Sequence, residues 1–161
     1  MQWNDADEPY QFLAFCDEWA RYKQEGEGFI SHIPVAVDGS CNGLQLYSLM
    51  LRDEKAGKLV NLTVTDKPQD IYQAVADSVR EKVRKDATDG VPFAQAWLNY
   101  GITRKITKRP IMTICYGSTR YSCTDFVLEE IKKAARKGKP HPFTKLNILQ
   151  ACTYLAKAIW L

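Results

Sequence analysis

No stretch of this chain approaches the roughly 18 consecutive apolar residues that a membrane-spanning helix requires. The opening residues, Met-Gln-Trp-Asn-Asp-Ala-Asp-Glu, are too acidic for a signal peptide. There is no Cys-x-x-Cys pair: five cysteines stand at 16, 41, 115, 123 and 152, with only His32 and His141 to join them. An odd, scattered set of that kind fits neither a disulfide framework nor a zinc site, and points to a reducing, intracellular compartment. The sequon Asn61-Leu-Thr63 carries no meaning without secretion. Acidic residues are scarce in one region only. Residues 101–145 hold 11 Lys/Arg against 3 Asp/Glu, whereas residues 1–100 hold 10 against 16. A segment that basic suggests a polyanionic partner, either phosphates or nucleic acid.

The remaining composition, 45% hydrophobic and 25% charged, is sufficient for one core. Phe12, Leu13, Phe15, Cys16, Trp19 and Ala20 recur at helical spacing after Glu8-Pro9, and Gly26 and Gly28 end that helix, which reads as core. Residues 33–37 are a short β-branched run and predict a buried strand ending at Asp38, followed by a turn into a helix over 44–51. Leu44, Tyr47, Ser48 and Leu51 fall on one side of that helix. Residues 59–64 read as a second strand or extended segment. Asp66 and Pro68 read as an N-cap and first-turn proline. Ile71, Val75, Val79 and Val83 then define a long amphipathic helix to about Asp86. A short helix over 93–100 buries Trp97, another covers 121–136 with Phe126, Ile131 and Ala135 inward, and the last covers 146–161. The chain stops within that final pattern, so truncation is expected. The fold class is mostly α with a small β element (α+β).

Arg104, Lys108, Met112 and Tyr116 stand four residues apart, ending at Gly117. Each step of four advances about 400° around a helix, so the side chains drift slowly along one face. Two cations one turn apart suit a polyphosphate, and a ring two turns on suits a base or sugar. Pro110 tolerates only a first turn, so the helix either starts near Thr107 or is distorted there. Either geometry keeps Arg104 near a positive helix end. Asp38 before Gly39 offers a carboxylate and an unobstructed carbonyl, hard oxygens of the kind Mg²⁺ takes. With the Arg104/Lys108 pair it makes half of a phosphoryl-transfer site.

Asp38-Gly-Ser-Cys-Asn-Gly-Leu-Gln45 and Thr103-Arg-x3-Lys108-x7-Tyr116-Gly117 resemble motifs A and B of the phage-type single-subunit DNA-dependent RNA polymerases of bacteriophages and mitochondria. Phe12-Leu-Ala-Phe-Cys16, Met50-Leu-Arg-Asp53, Val60-Asn-Leu62, Gln69-Asp-Ile-Tyr72 and Lys108-Arg-Pro-x-Met-Thr113 follow in the family's order, so the resemblance covers nearly the whole chain. It implies partial palm (1–66, with motif A) and fingers (67–161, with motif B) of a right-hand polymerase, truncated at both ends. Asp38 resembles the first catalytic aspartate, binding Mg²⁺ with the Gly39 carbonyl. Arg104 and Lys108 resemble the triphosphate-binding pair, with Lys108 also catalytic as a candidate proton donor to pyrophosphate. Tyr116 resembles the ring at the insertion site that helps select ribose, and Gly117 allows close packing behind it. Met112 would line the nucleotide pocket, and Tyr72 resembles a tyrosine that contacts it. The implied partners are a DNA template, nascent RNA and nucleoside triphosphates, with no membrane. Full-length members act as monomers, and the implied setting is the cytoplasm of a bacterial host, phage or prophage encoded, rather than a mitochondrion.

Related DNA polymerases share the Arg-x3-Lys-x7-Tyr-Gly pattern, but carry a glutamate five residues after the motif A aspartate, where this chain has Gly43. RNA synthesis is therefore favoured over a DNA polymerase fragment. Leu46-Tyr47 stand where well-known members have a histidine and an aromatic, a position read as packing. No His-Asp-Ser triplet, the motif that brings the second metal-binding aspartate, occurs in these residues. The expectation is a polymerase fragment inactive by itself. The alternative is a non-catalytic prophage remnant or a split subunit that needs a partner chain.

Overall fold

Prolines, glycines and single aspartates set where the helices begin and end. The computed structural model describes residues 2–37 and 39–160. The chain divides into two compact units, residues 1–38 and 39–161. Among the described residues no helix is long and apolar enough to cross a membrane.

In the first unit, Pro9 opens α1 (Pro9–Glu25), and Gly26, at φ +73°, ends it in a conformation that suits a residue without Cβ. Its aromatics do not form a core, contrary to the sequence expectation. Phe12, Phe15, Trp19 and Tyr22 lie along one side in succession, with ring centroids 6.4, 6.2 and 5.4 Å apart, and Phe15 and Trp19 remain 51% and 50% exposed. An apolar stripe is buried only by a second apolar face, and the remainder of this unit supplies none. The expected strand at 33–37 is likewise absent. Val35 and Val37 are 86% and 93% exposed. A strand needs a neighbour to satisfy its backbone groups, and none pairs with this segment, nor is any strand found among the described residues. The fold is thus largely α, without the small β element. Asp38 itself lies outside the described residues.

Among the described residues the second unit packs seven helices. Those at its start are α2 (Asn42–Leu51) and α3 (Glu54–Leu59). On α2, Ser48 is buried, while Leu46, Tyr47 and Leu51 are exposed, so Leu46-Tyr47 is not packing here. The Gln45 side-chain amide donates to the Val60 carbonyl at 2.7 Å and ties α2 to the end of α3. Leu59 closes a helix rather than opening a strand, because Asp53 caps α3 by accepting from the Ala56 N–H at 3.0 Å. Asn61 then holds the following loop, donating to the Gln69 carbonyl at 2.8 Å and accepting from its N–H at 2.6 Å. The next helix, α4 (Ile71–Thr88), starts later than expected. Asp70, not Asp66, is its cap, accepting from the Tyr72 and Gln73 N–H groups at 3.0 and 3.2 Å.

The core sits between α4, α5 (Ala94–Tyr100), α6 (Arg104–Ile114), α7 (Arg120–Arg136) and α8 (Ile148–Trp160). Trp97 is fully buried as expected, its ring tilted against Phe143 at 4.8 Å, with its indole N–H donating to the Ala151 carbonyl at 2.8 Å. On α7 the inward residues are Cys123, Thr124, Val127 and Ile131, whereas Ala135 is exposed because that helix outruns the core. Phe126 is half-buried beneath the Arg109 guanidinium, 4.3 Å from the ring centroid. At α8, Leu146 stays outside the helix and exposed, since the Asn147 side chain and the Thr144 carbonyl form the turn that starts it.

Candidate active site

The basic stretch forms one helix through its proline. Thr103 is extended and precedes α6, and Arg104 is its first residue. Thr107 is not a cap but a fully buried position whose hydroxyl donates to the Tyr72 carbonyl at 2.8 Å. Pro110 sits inside the helix without ending it, so the helix does not start near Thr107, one of the two alternatives left open by the sequence. Beyond Ile114 the Tyr116 N–H reaches back to the Thr113 carbonyl at 3.0 Å, and Gly117, at φ +79°, turns the chain away.

Arg104, Lys108 and Met112 therefore share a face of α6, as their spacing predicts. Arg104 is half-buried: its Nε donates to the Asp70 carboxylate, and its guanidinium lies 5.3 Å from the centre of the Tyr72 ring. Lys108 is exposed and has no carboxylate within 4.0 Å among the described residues. Met112 is half-exposed at the far end of the row. Tyr72 is buried, and burial, followed by the nearby Cys41, pushes its phenol above the ordinary value.

Tyr116 projects past the helix and is 76% exposed, yet it meets a second part of the chain. A Cβ placed on Gly43, near the start of α2, would stand 3.1 Å from the Tyr116 hydroxyl and 2.5 Å from Cys115 Sγ. The segment after Asp38 and the end of α6 thus come together, 73 positions apart. At Gly39 a Cβ would stand 2.7 Å from Asn42 Oδ1, so the Asn42 side-chain amide lies against that glycine. Among the described residues no three His, Cys, Asp or Glu side chains cluster as a metal site.

Sequence reasoning missed Asp70 and Thr107, which anchor the row. Asp70 joins the N-terminus of α4 to that of α6, and its signal was present as an aspartate directly before the apolar periodicity of α4. Burial raises its carboxyl, but hydrogen bonds from Arg104 and the Gln73 and Tyr72 N–H groups, with the charge of Arg104, outweigh that and hold it below the ordinary range. A depressed folded value means that the ionised form contributes stability above about pH 4, lost as pH falls through the lowered value. Asp70→Asn keeps a capping side chain and removes the charge. It is expected to be less stable than the parent chain at neutral pH, with the gap closing in acid; a gap in urea midpoint that stays constant with pH would contradict this.

All 161 residues match the family model described as DNA-dependent RNA polymerase. The chain belongs to the DNA-dependent RNA polymerase family. It is 40% identical to the DNA-directed RNA polymerase of Enterobacteria phage T3 and 39% identical to T7 RNA polymerase of Escherichia phage T7, each over 98% of this chain and 20% of the relative. It is 46% identical to the mitochondrial DNA-directed RNA polymerase of Mus musculus over 74% of this chain and 10% of the relative. The chain therefore spans about a fifth of the length of the phage RNA polymerases it matches. Their names describe nucleotidyltransferases.

Proposed function

We propose that this chain is the nucleotide-positioning part of a DNA-directed RNA polymerase, with residues 1–66 as partial palm and 67–161 as fingers. The observation that carries the reading is the approach of Gly43 to the Tyr116 hydroxyl at the end of the Arg104–Lys108–Met112 row. In this reading Arg104 and Lys108 hold the triphosphate, Met112 and Tyr72 border the nucleotide, and Tyr116 faces its sugar with Gly117 behind it. Lys108 is placed to give a proton to the departing pyrophosphate. Gly43 places no side chain beside the Tyr116 hydroxyl, where a glutamate would exclude a 2′-hydroxyl, and this favours RNA over DNA synthesis. Asp38 and the Gly39 carbonyl would hold Mg²⁺, which when bound neutralises phosphate charge and activates the attacking hydroxyl. The Asn42 amide oxygen beside Gly39 is one further oxygen of the kind that ion takes. A DNA template and nascent RNA are the corresponding macromolecular partners, in the bacterial cytoplasm where a phage enzyme works.

One aspartate motif is half of the expected metal-binding set, so these 161 residues by themselves make no RNA. Template-directed synthesis by the purified chain, abolished by Asp38→Ala, would overturn that point. The positioning role is tested by calorimetric titration with ATP, 2′-deoxy-ATP and adenosine in Mg²⁺. ATP is expected to bind at least about tenfold more tightly than adenosine, the equivalent of one charge-assisted contact. Equal affinities for ATP and adenosine would sink the reading.

A further inference from the structure

A groove of about 880 Å³ opens between α6 and α7, and seven cations against one carboxylate, Glu130, line it. Arg104, Lys108 and Met112 form one border, already placed in the nucleotide row. The rest is built from a second row on α6, Lys105 and Arg109, and from Lys133, Lys137 and Lys139 on α7 and after it. Three of these cations are engaged. Arg104 pairs with Asp70, Arg109 pairs with Glu129, and Lys139 donates to the Tyr100 carbonyl at 3.0 Å while standing 3.9 Å from that ring's centre. Lys105, Lys108, Lys133 and Lys137 have no carboxylate within 4.0 Å among the described residues.

Cations at the C-terminal end of α7 have a ready explanation in the helix dipole. Those on α6 do not. Its first turn carries Arg104 and Lys105 and no acidic residue, and the Asp70 carboxylate from before α4 offsets Arg104 only, so Lys105 adds positive charge to a positive helix end. That arrangement costs stability in the free chain and is relieved by an anion. The groove also lacks what a single strand of nucleic acid uses for stacking. Tyr100 is buried under Lys139, and Phe126, in the adjoining hollow, is covered by Arg109. Concentrated positive charge from two walls without an open aromatic face fits a compact anion of high charge density.

We propose that the α6–α7 groove is a polyphosphate-binding site beside the insertion row, with Lys105, Lys133 and Lys137 as its own ligands. Its occupant is the triphosphate tail of a nucleotide waiting to enter or the pyrophosphate about to leave. The origin of the ligand rests on the polymerase reading; the binding itself does not.

The test is titration of the chain with inorganic tripolyphosphate, pyrophosphate, ATP and a short single-stranded oligonucleotide at low salt. The double variant Lys133→Gln/Lys137→Gln is compared with Lys55→Gln/Lys85→Gln, which removes the same charge from exposed positions outside the groove. The groove variant is expected to lose about tenfold in tripolyphosphate affinity, less at high salt, with an unchanged melting curve, and the control less than about twofold. Alongside the tripolyphosphate loss, a parallel loss for ATP identifies the waiting substrate, and a loss for pyrophosphate without one for ATP identifies the product. Unchanged tripolyphosphate binding in the groove variant, or a loss seen only with the oligonucleotide, would overturn the site. If Lys108→Ala still weakens ATP in that case, the insertion row stands and only the groove fails.

Discussion

Trp97→Ala is expected to cost the second unit about 3–5 kcal/mol, the usual range for removing a fully buried tryptophan. The indole is enclosed by Phe143 at 4.8 Å and by Tyr100, edge-on at 5.8 Å, and its N–H bonds the Ala151 carbonyl, so one side chain joins α5, α8 and the loop before α8. Truncation opens a cavity where the indole stood. A domain's whole stability is about 5–15 kcal/mol, so the variant should be largely unfolded at moderate temperature or melt at least about 10 °C lower. Trp97→Phe separates the terms: it keeps most of the volume and loses the hydrogen bond, costing about 1 kcal/mol for that bond plus a smaller packing loss. Phe15→Ala, on the half-exposed stripe of α1, should change stability by no more than about 0.5 kcal/mol. Circular dichroism melts of the three variants check the set. A loss below about 1 kcal/mol for Trp97→Ala, or an equally large loss for Phe15→Ala, would show that the core has been placed in the wrong helices.

That contrast shows what periodicity conveys. The same 3.6-residue pattern marks α1 and α4, and it identifies both as helices. Burial depends on a second apolar surface, which α4 finds in α5, α6 and α8, while α1 finds none within its own unit. The run over 33–37 had the composition of a strand, but composition cannot provide the neighbour that a strand must bond. Asp66 and Asp70 are both aspartates before a helix. Only Asp70 stands within reach of two free N–H groups, and the loop length that decides this is set by Asn61, which holds Gln69 eight residues on. The row Arg104–Lys108–Met112 was fully legible because it depends on spacing within one helix. Its anchoring to Asp70 and Thr107 crosses from α6 to α4, a tertiary relation that spacing does not encode. The approach of Gly43 to Tyr116 is of the same kind, two motifs far apart in sequence that lie in contact in space.

Lys108→Ala should weaken binding of ATP by about 1.5–3 kcal/mol, the range for a hydrogen bond to a charged group, which is roughly 10- to 150-fold. Adenosine binding should not change, since it offers no phosphate. The residue suits a clean test. It is exposed and unpaired among the described residues, so its removal strands no partner and should leave the melt within about 0.5 kcal/mol. Arg104 is not equivalent. Deleting it frees Asp70 and uncovers Tyr72, so Arg104→Ala should lose both stability and ATP affinity, and Arg104→Lys should restore only the charge, not the planar contact with the Tyr72 ring. The two cations therefore divide the work, one built into the α4–α6 junction and the other free to meet a ligand. Raising the salt should shrink the Lys108→Ala effect, because an exposed charge is screened where a buried one is not. Equal losses of ATP and adenosine in Lys108→Ala would mean that the side chain shapes the pocket rather than holding phosphate, and the triphosphate role would then have to fall to Arg104 alone.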